Sequence, residues 1–255
     1  MQPFNYSNSP FPIREDLIGC FAYTWDKFSQ PGTWLTAAER VAVAREVRNA
    51  QTCQLCADRK AALSPFGIDG VHNGDHEPLS DLQVDIAHRL TTDASRLTET
   101  WLRQCIDQSH SQGNGGTLTD ASYIEILSVV VSTLAIDSFH NALGFEHEPL
   151  PQPLAGEPSH HRPTGATSGT AWVPMVSGKD VDPIDADMYG GATRTGNVIT
   201  AMSLVPDAVR LLMKQSNAMY VHDVIDFSSN SGRALSRPQI ELIAARVSAL
   251  NDCFY

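Results

Sequence analysis

Residues 124–136 are the most apolar run of the chain, and they do most to restrict what it can fold into. Ile124, Leu127, Val131 and Leu134 repeat at the spacing of one helix face. The Val and Ile content would also suit a strand. The pattern, however, runs from about residue 120 to Leu143 and stops at Gly144, the usual residue for a left-handed helix end. A long helix is therefore expected here, in an all-α protein. Serines and a threonine interrupt the run, which falls short of the roughly 20 apolar residues of a membrane span.

Other helix starts are written in capping chemistry. Thr36 with Glu39, and Ser80 with Gln83, are capping boxes, in which each side chain satisfies a backbone N–H of the first turn. The first predicts a helix to about Asn49 with Val43, Ala44, Val47 and Ala50 inward, and a second helix opening at Cys53. The other predicts a helix through Val84, Ile86 and Leu90. Further helices are expected over residues 15–28, which carry Phe21, Tyr23, Trp25 and Phe28, and over 97–106. A turn is expected over 112–116. Residues 148–194 are rich in Pro, Gly, Ser and His and read as a connection between units, with His160, His161 and Arg162 in solvent. Helical spacing resumes after Gly196, again at Pro206, and finally at Ser236.

With 18 basic and 29 acidic residues in 255, the chain carries −11. That excess argues against nucleic acid or an anionic membrane as partner. No signal peptide is visible, and a cytoplasmic location is expected. Five cysteines, Cys20, Cys53, Cys56, Cys105 and Cys253, are few and odd in number for a disulfide framework. In a reducing compartment a close pair such as Cys53-x-x-Cys56 points to redox catalysis or metal binding. At a helix start, unpaired N–H groups and the helix dipole favour thiolate over thiol. A zinc site would need two more ligands, and Cys105 with His88 or His110 is not a recognisable second half. The expectation is redox chemistry with no metal and no cofactor.

Residues 35–53 and 235–253 align without a gap. Leu35/Leu235, Ala44/Ala244, Val47/Val247 and Cys53/Cys253 are identical, Thr36/Ser236 and Glu39/Gln239 keep the capping chemistry, and Val43/Ile243 keeps a core position. Duplication is the better reading, which makes residues 1–147 a first repeat, 148–194 a linker and 195–255 the beginning of a second.

The segment from Leu235 through Glu241 and Cys253 to Tyr255 resembles the core of the AhpD-like alkylhydroperoxidase / carboxymuconolactone decarboxylase superfamily. That core places a glutamate twelve residues before a Cys-x-x-Cys and a histidine four residues after it. Glu241 and Cys253 fit, and the rest of the motif would lie beyond Tyr255. Position 256 would then be a second sulfur or selenium residue, reached through a selenocysteine codon or cut off by an ordinary truncation. The first repeat has both cysteines, with Val41 and Lys60 where the glutamate and histidine are expected. Arg59 and Lys60 could supply positive charge instead.

The resemblance implies an all-helical, homo-oligomeric AhpD-like bundle. It implies a peroxidase or disulfide oxidoreductase acting on small hydroperoxides and regenerated by a thiol reductant, with Cys56 attacking and Cys53 resolving. His140, one turn from Asp137, is a further catalytic candidate, and Glu125 could share its face. Asp85 and His88 have the same arrangement. The rival readings are a decarboxylase-like enzyme on a small lactone using His140 and Glu125, and a redox-silent helical scaffold.

Overall fold

The structure, a computed structural model, describes residues 4–111, 118–221, 233–251 and 253. The turn expected over 112–116, and the residues flanking Cys253, lie outside them. Among the described residues the chain is all-α, with nine α-helices and one two-stranded antiparallel pair. The helices before the pair are α1 (Glu15–Ser29), α2 (Ala37–Ala50), α3 (Gln54–Ala61), α4 (Asp81–Thr92), α5 (Glu99–Ser111) and α6 (Asp120–Leu143). Those after it are α7 (Asn197–Thr200), α8 (Pro206–Met219) and α9 (Arg237–Leu250).

The caps lie where the side chains called for them. Thr36 Oγ1 accepts from the Glu39 N–H at 3.2 Å, and the Glu39 carboxylate accepts from the Thr36 N–H at 2.8 Å. Ser80 with Gln83 and Ser236 with Gln239 repeat the device. α6 opens on a further box, Thr119 with Ser122, and closes on Gly144 at φ 72°, where a Cβ would be strained.

α6 is the central element and packs against α1, α2, α4 and α8. Ile126, Val129, Val130, Thr133 and Ile136 are among its deepest residues. Of the expected stripe, Ile124 is buried, while Leu127, Val131 and Leu134 are only half-buried. A helix apolar on nearly every side has no single face for periodicity to find. By length and hydropathy α6 could cross a membrane, but 67% of its most apolar window is buried inside the protein.

α1 brings Phe21, Trp25 and Phe28 into the same core, and Phe4 closes over Phe21 and Trp25 at ring distances of 5.6 and 5.2 Å. Residues 148–194 run along this core. Trp25 Nε1 donates to the Pro149 carbonyl, strands β1 (Ala166–Thr167) and β2 (Met175–Val176) pair, and Val173, Val176, Met188 and Tyr189 are buried. His161 and Arg162 are partly exposed, but they pair with Asp185 and Asp120 rather than with solvent alone.

α2 and α9 share a fourteen-residue length and the same capping box. Their packing differs. α2 buries Val43, Ala44 and Val47, whereas α9 buries none of its residues and exposes Leu242, Ile243, Val247 and Leu250.

Candidate functional site: a buried cluster of two cysteines and two histidines

α2 ends at Ala50 and the chain turns at once into α3, with Cys53 as the N-cap residue and Cys56 in the first turn. α2 also packs lengthwise against α4, which brings Glu46 of α2 opposite His88 of α4. The irregular segment between α3 and α4 folds back over the sulfurs and delivers His72. Arg59 pins that segment by donating from Nε to the Ile68 carbonyl at 3.1 Å.

Four side chains converge. Cys53 Sγ lies 3.4 Å and Cys56 Sγ 3.9 Å from His72 Nδ1, and Cys56 Sγ lies 3.2 Å from His88 Nδ1. The two imidazoles are 4.0 Å apart between centroids. All four residues are buried, with Cys53 and Cys56 only 5% and 3% exposed. With Leu55, and with Ile68 packed against them, the cysteines form a small apolar cluster separate from the main core.

Each histidine is held from behind. His88 Nε2 lies 3.0 Å from Glu46 Oε2, and His72 Nε2 lies 3.0 Å from Asp85 Oδ1. Ionised carboxylates only accept, so both Nε2 atoms carry the proton and both Nδ1 atoms face the sulfurs. Glu46, fully buried, is also contacted by His76 Nδ1 at 3.1 Å and by Asn49 Nδ2 at 3.2 Å. Asp85 is shared between His72, Arg59 and Arg89.

The electrostatics follow from these contacts. Burial pushes the Cys56 thiol up, but the hydrogen bonds of His72 and His88 outweigh it and bring it down to about 6. Cys53 is lowered in the same way, burial again being overcome by His72. Burial would lower the histidines, yet Asp85 and the cysteines raise His72 to about 10, and Cys56 with Glu46 raises His88 to about 9. Burial opposes ionisation of Glu46 and Asp85 too. The His88 and Asn49 hydrogen bonds hold Glu46 below the usual carboxylate range, and His72 with the two arginines does the same for Asp85. The cluster is thus a thiolate–imidazolium network backed by two carboxylates.

The other residues singled out in the sequence fall elsewhere. His140 is buried among Phe4, Phe21, Phe139 and Phe145, with its Nε2 2.6 Å from the Tyr6 hydroxyl. Asp137 does not orient it, because Arg48 takes that carboxylate in a two-pronged pair at 2.8 and 2.9 Å. Glu125 accepts from the Thr33, Trp34 and Leu35 N–H groups and faces Arg40. It holds the turn before α2. Fifteen residues separate Glu125 and His140, about 22 Å along a helix, too far to act together on one small lactone. Glu241 is exposed on α9 with Arg237 and Tyr220, and Cys253 is exposed. Neither belongs to the cluster. Lys60 is exposed and Arg59 is buried behind His72.

Glu46 and His72 were not anticipated, and no periodic signal marks them. His72 sits in a glycine-rich loop, and Glu46 reads as one more charge on an amphipathic helix. Asp85-x-x-His88 was visible as a spacing. No family model, curated protein or solved structure matches this chain.

Proposed function

We propose that this chain is a dithiol oxidoreductase of the AhpD-like type, reducing small hydroperoxides through Cys53 and Cys56. The observation that carries the reading is the line Glu46–His88–Cys56, a buried carboxylate, imidazole and thiol in hydrogen-bond sequence. In this reading Glu46 and His88 take the proton-carrying roles that the family gives to a glutamate and a histidine, at positions held here by Val41 and Lys60.

The Cys56 thiolate attacks the terminal peroxide oxygen and the O–O bond breaks. The alkoxide leaves as the alcohol, taking the proton from His88 Nδ1, while Glu46 stabilises the imidazole throughout. Cys56 is then a sulfenic acid. Cys53 attacks its sulfur, water departs and a Cys53–Cys56 disulfide remains, two electrons having passed from two thiols to one peroxide. A thiol reductant restores the pair by exchange.

The test is single-turnover reaction of the reduced chain with an organic hydroperoxide. Loss of two thiols, one alcohol formed per chain, and a Cys53–Cys56 disulfide by peptide mass spectrometry are expected, all abolished by Cys56→Ser. Peroxide consumption unchanged in Cys56→Ser would overturn the reading.

A further inference from the structure

We propose that Cys53, Cys56, His72 and His88 form a tetrahedral centre for a zinc-class divalent cation, which occupies the dithiol while it is reduced and leaves when it is oxidised. The binding half stands on geometry alone; the release half rests on the dithiol chemistry proposed above.

The first argument is distance. One ligand atom from each of the four side chains lies within 4.8 Å of the other three. Around a tetrahedral zinc, with Zn–S near 2.3 Å and Zn–N near 2.0–2.1 Å, neighbouring sulfur and nitrogen ligands are about 3.6 Å apart. The sulfur–nitrogen contacts of 3.4, 3.9 and 3.2 Å bracket that edge. Ligand atoms this close together need little movement to close on an ion.

The second argument is what lies behind the ligands. A metal-bound histidine usually gives its other ring N–H to a carboxylate, which fixes the tautomer and raises ligand basicity. Both histidines do so here, His72 to Asp85 and His88 to Glu46. A proton relay to one reacting sulfur calls for one such imidazole. Two of them, His72 Nδ1 within reach of both sulfurs and His88 Nδ1 against Cys56, are what a four-ligand centre calls for.

The third argument is charge. A dipositive ion cancels two thiolates, and the carboxylates behind the histidines have cations of their own, Asp85 the buried Arg59 and Arg89, and Glu46 the partly exposed Arg45. Two sulfurs and two imidazoles in tetrahedral array select zinc over magnesium or calcium, which take oxygen ligands. All four positions are filled by protein, as in structural rather than catalytic zinc sites. The ion would join the start of α3 and the 62–80 segment, where the small cysteine cluster lies apart from the main core, to α4, which packs into that core.

A closed zinc centre and a peroxide-reactive dithiol share the same electrons. Oxidation of the bound pair by one hydroperoxide, with two protons taken up, gives the Cys53–Cys56 disulfide, one alcohol, one water and the free cation. Two of the four ligands are thereby consumed.

The experiment uses the full chain, reduced and stripped with a chelator, titrated with Co2+ and then Zn2+. One equivalent per chain should bring the thiolate-to-cobalt charge-transfer and intense visible bands of tetrahedral Co2+, displaced by Zn2+. Cys105→Ser should leave the titration unchanged, Cys53→Ser and His72→Asn should abolish it, and Asp85→Asn should weaken affinity about 10- to 100-fold. Octahedral cobalt spectra only, or a titration unaltered by Cys53→Ser and His72→Asn, overturn the centre. Should those variants not fold, wild-type protein decides it: Zn2+ must protect Cys53 and Cys56 from alkylation while Cys253 still reacts, and equal labelling with and without Zn2+ overturns the centre. One hydroperoxide equivalent should then release the zinc to a chromophoric chelator. Tight metal binding with no release overturns the redox linkage alone. A peroxide-formed disulfide in a chain that binds no metal overturns the centre and leaves the dithiol reading standing.

Discussion

Glu46 Oε2 lies 3.0 Å from His88 Nε2, and both side chains are entirely buried. A buried pair of this kind stands or falls together. Glu46→Ala would leave His88 without its acceptor inside the protein, at a cost of about 3–5 kcal/mol. Glu46→Gln keeps the shape and one hydrogen bond but removes the charge that backs the imidazole. It should fold with a smaller loss in thermal denaturation and reduce hydroperoxide about 100-fold more slowly than wild type, the lower end of what a positioned acid–base group contributes. A Glu46→Gln chain with the wild-type rate would remove Glu46 from the relay.

The three thiols outside the cluster should separate by burial. Cys253 is exposed, whereas burial pushes Cys105 up to about 11 and raises Cys20 as well. At neutral pH, timed alkylation read by peptide mass spectrometry should label Cys253 first. Cys20 and Cys105 should be labelled only on unfolding, because the thiolate is the reacting form. Labelling of Cys105 at the rate of Cys253 in the folded protein would contradict that burial.

Helix class and helix starts were legible because they are local. Capping boxes and a left-handed glycine act within one turn, so Thr36, Ser80, Ser236 and Gly144 could be read directly. The cluster was half legible. Cys53 and Cys56 share one helix start, but their partners arrive from a loop and from α4, and only the packing of α2 on α4 decides that Glu46 meets His88. His140 misled for the same reason. Its spacing from Asp137 suited a pair, yet Arg48, remote in sequence, holds that carboxylate. The α2/α9 likeness shows the limit from the other side, since identical capping and similar apolar positions give one buried helix and one exposed.

Gly32 and Gly19 offer a matched test of the Glu125 anchor. A Cβ on Gly32 would fall 1.7 Å from Glu125 Oε1, whose carboxylate is fixed by three backbone N–H groups. Gly32→Ala must push out a buried carboxyl group together with its hydrogen bonds, and a loss of roughly 1–3 kcal/mol or more is expected by denaturant titration. A Cβ on Gly19, within α1, meets nothing within 4 Å. Gly19→Ala should therefore gain about 0.5–1 kcal/mol from the lower chain entropy of the unfolded state. Equal stabilities for the two variants would mean that Glu125 yields without cost.

Arg162 fastens the 148–194 segment to the start of α6 by a two-pronged pair with Asp120, at 2.9 and 2.8 Å. Asp120 also accepts from the Ala121 N–H at 2.8 Å. The hydrogen bond from Arg162 is the largest influence on the Asp120 carboxyl and holds it below the usual range, against the opposing effect of burial. A folded-state value below the unfolded one means that the contribution is fully present above the unfolded aspartate value, about 3.9. It is lost as the pH falls through the lower folded value. Because Arg162 is 41% exposed, water screens the pair, and about 0.5–1 kcal/mol is the expected size. Asp120→Asn should be less stable than wild type by that amount at neutral pH, and the two stability curves should converge as the pH is lowered through the acid range. A gap that persists unchanged into acid would show that the carboxylate charge contributes nothing and that the segment is held by its other contacts.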